Sequence, residues 1–377
     1  MKDIIPLFKV FMSEESITRT VEVLKSGYIG QGPVVENFEN ILKKYFDHDY
    51  IVTVNSATSA EHLALHMLKK QYGLQDNDEI LTSPFTCTAT NWPILANNFK
   101  IKWVDIDPNT LNMDLDDLAR KITSKTKAIM MVHWGGYPND LDKINDIIDH
   151  CESIFGFRPI IIEDCAHSMG SKYKGKLIGT HGNLCTFSLQ AIKHVTSGDG
   201  GLLFLPNNEL YNRAKLLRWY GIDRNNNKKD FRCEADVEEW GFKFHMNDIN
   251  ASIGIGNFNK IDEIISKHKD NANFYDKELI DIKNVTLLER NPDMESAFWI
   301  YSLKVNNRSD FMNHMKKNGI MVSQVHERND IHTSVKNYKT ILPNLDKTIK
   351  NVISIPVGWW VTDDDRKYIV DVIKKGW

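Results

Sequence analysis

Three short stretches of this 377-residue chain carry side chains whose types and order could do chemistry together. In Pro159-Ile160-Ile161-Ile162-Glu163-Asp164-Cys165-Ala166-His167-Ser168 an apolar run ends in two carboxylates, and the carboxyl ends of such runs are where open α/β sheets bind ligands. In the second, Phe187-Ser188 leads into a loop with one lysine, Lys193, then His194, then Gly198-Asp199-Gly200-Gly201 and another strand. Lys193 lies 29 residues after Asp164 with one strand between them, so two loops at one sheet edge can aim both side chains into one cleft. A desolvated lysine can lose its proton and form a Schiff base, while a carboxylate can keep a ring nitrogen protonated. In the third, Asn55-Ser56-Ala57-Thr58-Ser59-Ala60-Glu61 opens a helix after a strand, where free backbone amides make a phosphate cradle. Singly, each has an ordinary reading: Asp164 as a helix cap, His167 as a bonded core histidine, Lys193 as surface charge, Ser59 as an N-cap with Glu61 in the first turn.

The elements that must position these groups show in the patterning. Short β-rich runs at Tyr50 to Val54, Glu79 to Thr82, Lys100 to Val104, Ala128 to Val132, Pro159 to Ile162, Leu184 to Ser188 and Gly201 to Phe204 alternate with helical stretches. Ser59 to Lys70 and Asp140 to Cys151 are two of those helices. The alternation predicts an α/β fold with a mainly parallel, seven-stranded sheet wrapped by helices. After Gly256 the character changes to a long helix over 260–280, a strand from Trp299 to Val305, a helix from Phe311 to Lys317 and a final helix from Asp363 to Lys375. A large domain over 1–257 and a smaller α+β domain over 258–377 are expected.

Composition narrows the classes further. With 47 basic and 50 acidic residues the net charge is −3, so no global basic field invites nucleic acid. No apolar run reaches the roughly 20 residues of a bilayer span and the N-terminus lacks a secretory pattern, so a cytoplasmic protein without a membrane partner is expected. Five scattered cysteines without a CxxC pair argue against a disulfide framework or a metal site. Neither GxxxxGK[ST] nor a helix-opening GxGxxG occurs, which removes the usual devices of nucleotide hydrolysis and dinucleotide redox chemistry. A cradle, a carboxylate and a lysine in this order are what a pyridoxal phosphate enzyme requires.

From Ile5 to about Tyr368 the chain resembles the DegT/DnrJ/EryC1/StrS family of sugar aminotransferases, which have the aspartate aminotransferase (type I) fold. The resemblance is carried by Gly27-Tyr28-Ile29-Gly30-Gln31-Gly32-Pro33 with Phe38-Glu39, Asn55 to Ala60, Val132-His133-Trp134-Gly135-Gly136-Tyr137-Pro138 and Glu163-Asp164. It continues through Ser188 with Lys193, Gly198 to Gly201, Met246-Asn247-Asp248 and Ile355-Pro356. It implies that Lys193 carries pyridoxal 5'-phosphate (pyridoxamine 5'-phosphate during turnover) and shuttles the proton, with Asp164 on the pyridine nitrogen. It further implies Ala57, Thr58 and Ser188 on the phosphate, His167 near the phenolic oxygen, and Asn247 reaching the phosphate of a neighbouring subunit in a homodimer with shared active sites. One departure is Phe85-Thr86-Cys87, which puts a cysteine where an aromatic residue covering the cofactor ring is expected; Gln190-Ala191-Ile192 before the lysine is another.

The resemblance implies L-glutamate as donor and a nucleoside-diphosphate-linked 4-keto-6-deoxyhexose as acceptor, giving a 4-amino-4,6-dideoxy sugar nucleotide. A 3-amino product from a 3-keto sugar, or dehydration, are the alternatives. Lysine rather than histidine at 193 favours transamination over dehydration, a non-catalytic sensor needs neither Lys193 nor Asp164 in register, and a desulfurase lacks its catalytic cysteine. Tyr28, Arg224, His326 and His332 are the expected substrate-binding residues, with Arg218, Lys228 and Lys229 as further candidates for a diphosphate.

Overall fold

The computed structural model describes residues 4–224 and 236–377. Lys228 and Lys229 therefore lie outside the described residues. The large sheet contains seven strands: β1 (Ile51–Val54), β2 (Glu79–Thr82), β3 (Lys100–Trp103), β4 (Thr126–Val132), β5 (Ile160–Asp164), β6 (Leu184–Ser188) and β7 (Gly201–Phe204). Their order is β1-β7-β6-β5-β4-β2-β3. Neighbours from β6 to β3 pair in parallel, while β7 runs antiparallel to both β6 and β1. β1 and β7 are buried at every position, as befits strands covered on both faces, and their apolar runs gave no period-2 alternation for that reason.

Helices α1 (Glu14–Ser26), α2 (Pro33–Phe46), α3 (Ala57–Gln71), α4 (Thr88–Ala96), α5 (Leu115–Lys121), α6 (Leu141–Phe155), α7 (Asn208–Leu217) and α8 (Asp248–Phe258) surround this sheet. The α3 cap corrects the sequence reading: Ser56, in extended conformation, is the N-cap, its Oγ accepting the Ser59 amide at 3.0 Å, and Glu61 is buried rather than solvated in the first turn. Pro33 starts α2 with φ already fixed, and the buried Asp248 carboxylate takes the amides of Gly32 (2.8 Å) and Val35 (3.1 Å). A side chain of α8 thus satisfies the free donors of α2.

Beyond α8, the long α9 (Ile261–Leu279), α10 (Arg308–Lys317) and α11 (Asp363–Lys374) accompany a three-stranded antiparallel sheet of β8 (Val285–Leu287), β9 (Tyr301–Val305) and β10 (Val352–Ile355). Tyr275, Tyr301, Phe311, Ile353 and Ile369 form its core. The chain start joins this core, since Ile5 bridges Ile320 and packs in the same cluster. We propose the domain division at 257/258, at the end of α8, with that N-terminal segment crossing over. No described helix is long and apolar enough to cross a membrane.

Candidate active site

Adjacent side chains on a strand point to opposite faces, and β5 uses this to separate its two carboxylates. Glu163 is closed off by His133 Nε2 at 2.8 Å and by the Asn183 amide at 2.7 Å. Asp164 faces the other way, where one oxygen accepts the Ala166 amide (2.9 Å) and the other the Thr90 hydroxyl (2.7 Å) from α4. Both Asp164 and Thr90 are buried, so these bonds fix the carboxylate without screening by bulk water.

Lys193 stands in the turn after β6, its amide bonded to the Gln190 carbonyl at 3.0 Å. Among the described residues its Nζ has neither a hydrogen bond nor an ion pair; it lies 3.6 Å from the centroid of the Trp299 indole. Burial lowers its pKa to about 8, with Asp164 and Cys87 opposing the shift. A lysine in that range reaches its neutral, nucleophilic form near physiological pH. The next residue turns away: His194 is bonded through Nε2 to the Ala297 carbonyl at 3.0 Å, beside His268.

A wall of rings surrounds the amine. His167 stacks on Trp299 with centroids 4.0 Å apart and faces His326 at 5.7 Å, nearly parallel. Trp134 meets both histidines edge-on and stacks on Phe85 at 4.2 Å. Burial holds His167 well below the ordinary histidine range and His326 at about 4, with Lys193 adding to both, so both rings are neutral at pH 7. Trp299 and His326 each follow a residue in the left-handed region, Phe298 (φ 52°) and Val325 (φ 71°). For a β-branched residue that conformation is costly, and strain of this kind accumulates where a side chain must be aimed. Cys87 is half-buried at the N-cap of α4, close enough to act on the charge of Lys193.

The N-terminus of α3 leaves backbone amides free. Ser59 and Ala60 amides are taken by Ser56, which leaves those of Ala57 and Thr58, the first two helical residues, without an intrahelical acceptor. Gly201 of β7 presses on this turn so closely that a Cβ there would sit 2.3 Å from the Ser56 carbonyl carbon and 2.5 Å from the Ala57 nitrogen. Ser188 ends β6, its hydroxyl accepting the Gln190 amide at 3.3 Å.

Of the remaining expected residues, Asn247 caps α8 by accepting the Asn250 amide at 2.9 Å, and among the described residues its side-chain NH2 makes no hydrogen bond. Tyr28 is 81 % exposed and lines, with Gln31, Pro33 and Arg224, a groove of about 710 Å³. The Arg224 guanidinium lies 4.3 Å over Trp219 and donates to the Gln31 carbonyl. His332 packs edge-on against Trp92 rather than in the ring wall. Arg218 is a correction: it is buried and bonded to Glu39 and to the Thr53 carbonyl (2.7 Å), so it is not available to a diphosphate. The sequence shows Trp134 only within a motif and Trp299 only as a strand start, because a tryptophan beside a positive-φ residue has no sequence mark that separates it from core.

These groups fit pyridoxal phosphate: free amides for the phosphate, a fixed carboxylate for the ring nitrogen, and, among the described residues, an unpaired amine for the aldehyde together with buried His167 Nδ1 and His326 Nε2 that have no hydrogen-bond partner. Residues 11–374 match the sequence pattern of the DegT/DnrJ/EryC1/StrS aminotransferase family. The fold is shared with the crystal structure of AtS13 from Actinomadura melliaura (48 % identity, 100 % of both chains, TM-score 0.95). It is equally close to the sugar aminotransferase CalS13 from Micromonospora echinospora (45 % identity, 99 % of this chain and 100 % of that one, TM-score 0.95). GDP-perosamine synthase of Escherichia coli O157:H7 is 30 % identical over 82 % of this chain and 81 % of its own length.

Proposed function

The chain belongs to the DegT/DnrJ/EryC1/StrS aminotransferase family, with the type I fold of pyridoxal phosphate enzymes, and from that premise we propose that it aminates a nucleotide-linked sugar. The donor in this reading is L-glutamate and the acceptor a nucleoside-diphosphate-linked 4-keto-6-deoxyhexose, aminated at carbon 4. The observation that carries the reading is Lys193: an amine without a hydrogen-bonding or ionic partner among the described residues, held near pKa 8 next to a fixed carboxylate.

When bound at Lys193, pyridoxal phosphate supplies an electron sink for bonds broken at the amino-bearing carbon. The chain's own residues do the rest. Asp164 keeps the ring nitrogen protonated. The amides of Ala57 and Thr58 and the Ser188 hydroxyl hold the phosphate. Lys193, once free, moves the proton at the reacting carbon, which its pKa near 8 permits in both directions. Neutral His167 offers its ring to the phenolic oxygen, and neutral His326 admits a sugar without adding charge. The Trp299 indole covers one side of the amine, with the His167 ring stacked behind it.

The partner in this reading is a second copy. One face of α1 shows Ile17, Val21 and Leu24, between 42 % and 53 % exposed and spaced by helical turns, and Tyr28 follows at 81 %. Burying that face against a partner would bring Tyr28 and Asn247 toward a neighbouring site, and sedimentation of a stable, active monomer would sink the dimer. The substrate is tested by incubation with glutamate and a panel of 4-keto and 3-keto nucleotide sugars. Amination of the 4-keto compounds is expected. Exchange confined to free amino and keto acids would overturn the acceptor, and a 3-keto preference would overturn the position.

A further inference from the structure

We propose that Glu61 is a positioning residue for Asp164: it keeps its proton and donates it to the Asp164 carboxylate from inside α3. The inference rests on the reading of Asp164 as the nitrogen-binding group. Glu61 is 1 % exposed, an unusual place for a glutamate without a cation. It follows Ala57 by four residues and Thr58 by three, so it lies one turn beneath the two cradle amides on the same side of the helix. Its Oε1 is 3.5 Å from the hydroxyl of Thr186, and Thr186 is the register partner of Asp164 across β5 and β6. Its carboxyl lies near enough to Asp164 to feel that group's charge, and among the described residues its buried Oε2 has no hydrogen-bond partner.

Two carboxyl groups in buried contact cannot both be charged. Both oxygens of Asp164 already accept a hydrogen bond, from the Ala166 amide and the Thr90 hydroxyl, whereas Glu61 Oε2 has no partner among the described residues, so the proton belongs on Glu61. The titratable groups that act on Glu61 are Asp164 on β5 and Cys87 at the start of α4, and neither supplies positive charge. Burial first, and Asp164 second, hold the Glu61 carboxyl well above its ordinary range. The choice of partner has a chemical point. An arginine in this place would spend the negative charge of Asp164 on itself, whereas a neutral acid orients that carboxylate and leaves its charge for a ring nitrogen. One helix thereby fixes both ends of the cofactor site, the phosphate through its first amides and the nitrogen through Glu61.

Glu61→Gln keeps a donor of the same size and cannot titrate; Glu61→Leu keeps the bulk and removes the donor. In the apo-protein near pH 7.5, infrared difference spectra should show the carbonyl stretch of a protonated carboxylic acid that the Gln variant lacks. Because the folded state retains a proton that the unfolded chain releases above about 4.5, Glu61 makes wild-type stability fall as pH rises past that value. Its share of the fall is up to about tenfold in the folding constant per pH unit, and Glu61→Gln should remove it. Pyridoxal phosphate dissociation constants should change by less than about threefold in Glu61→Gln and weaken about tenfold in Glu61→Leu. Absence of the infrared band, an unchanged pH slope in Glu61→Gln, or equal cofactor binding by all three proteins overturns this role. Binding by none of the three overturns the cofactor reading and this role with it. Should the Leu variant not fold, the infrared and pH measurements on the isosteric Gln variant decide the matter.

Discussion

Arg218 and Lys193 are both cations drawn into the body of the large sheet, and the protein treats them in opposite ways. Arg218 is 3 % exposed, and on its Nη1 converge the Glu39 carboxylate, the Thr53 carbonyl (2.7 Å) and the Thr53 hydroxyl (3.1 Å). Glu39 in turn accepts the Thr53 amide at 2.9 Å. Lys193 is offered no such acceptor among the described residues, only the face of an indole at 3.6 Å. A guanidinium never releases its proton, so tying it to a carboxylate makes a permanent strut between α2, β1 and the end of α7. An amine denied a carboxylate is instead poised to become neutral. Charge of the same sign is structural in one place and reactive in the other because of what stands next to it.

The contrast can be broken first at its reactive end. Lys193→Ala should lower transamination by about 10⁴-fold and remove the visible absorbance of the cofactor-loaded protein, without lowering the apo-protein's thermal midpoint. At the structural end, Glu39→Gln leaves Arg218 charged and underpaired in the interior. Urea unfolding should show a loss of about 3–5 kcal/mol, while turnover per folded molecule stays near wild type. Asp164→Asn should still bind the cofactor but turn over on the order of 10²-fold more slowly, since a neutral amide cannot hold the ring nitrogen protonated.

Smaller effects sharpen the comparison through pH. Capture of pyridoxal phosphate by the apo-protein should slow about tenfold for each pH unit below 8 and level off above it, as the neutral fraction of Lys193 dictates. Between about 8 and 10.5 the unfolded chain holds a proton on this lysine that the folded chain has lost, so its contribution to stability rises with pH in that window. Trp299→Leu removes the ring face that favours the charged amine and should move the capture midpoint below 8 by about half a unit to one unit.

The seven-stranded sheet was legible because each strand is a short apolar run between turn residues, and Asp164, Ser188 and Lys193 were legible because they close or follow such runs. The antiparallel sense of β7 was not, since β1 and β7 are buried throughout and local pattern carries no direction. The strands Val285–Leu287 and Val352–Ile355 are too short to show a period. Arg218 misled because the sequence places it beside a polar loop, while Glu39, its partner, lies far back in α2. Glu61 was hidden by its own spacing: a glutamate in a first helical turn ordinarily faces solvent and helps the dipole, and only the packing of α3 on β6 shows it turned inward. Trp299 comes from chain distant from Lys193, so nothing near the lysine announces it, whereas His326 was reached through the resemblance.

The close seating of Gly201 on the Ser56–Ala57 turn sets an order in time. β1 and the start of α3 emerge early, yet β1 pairs with β7, Val54 lying opposite Gly201, and with no other strand of the large sheet. At a synthesis rate of about 5–20 residues per second, the ribosome needs roughly 7 to 30 s between the start of α3 and Gly201. Until then β1 is an unpaired edge and the first amides of α3 have no wall behind them. Lys193 arrives just before the cradle closes, and Trp299 and His326 later still. In the reading proposed above, pyridoxal phosphate would therefore not template the early fold of this chain but would meet a sheet already paired from β1 to β7.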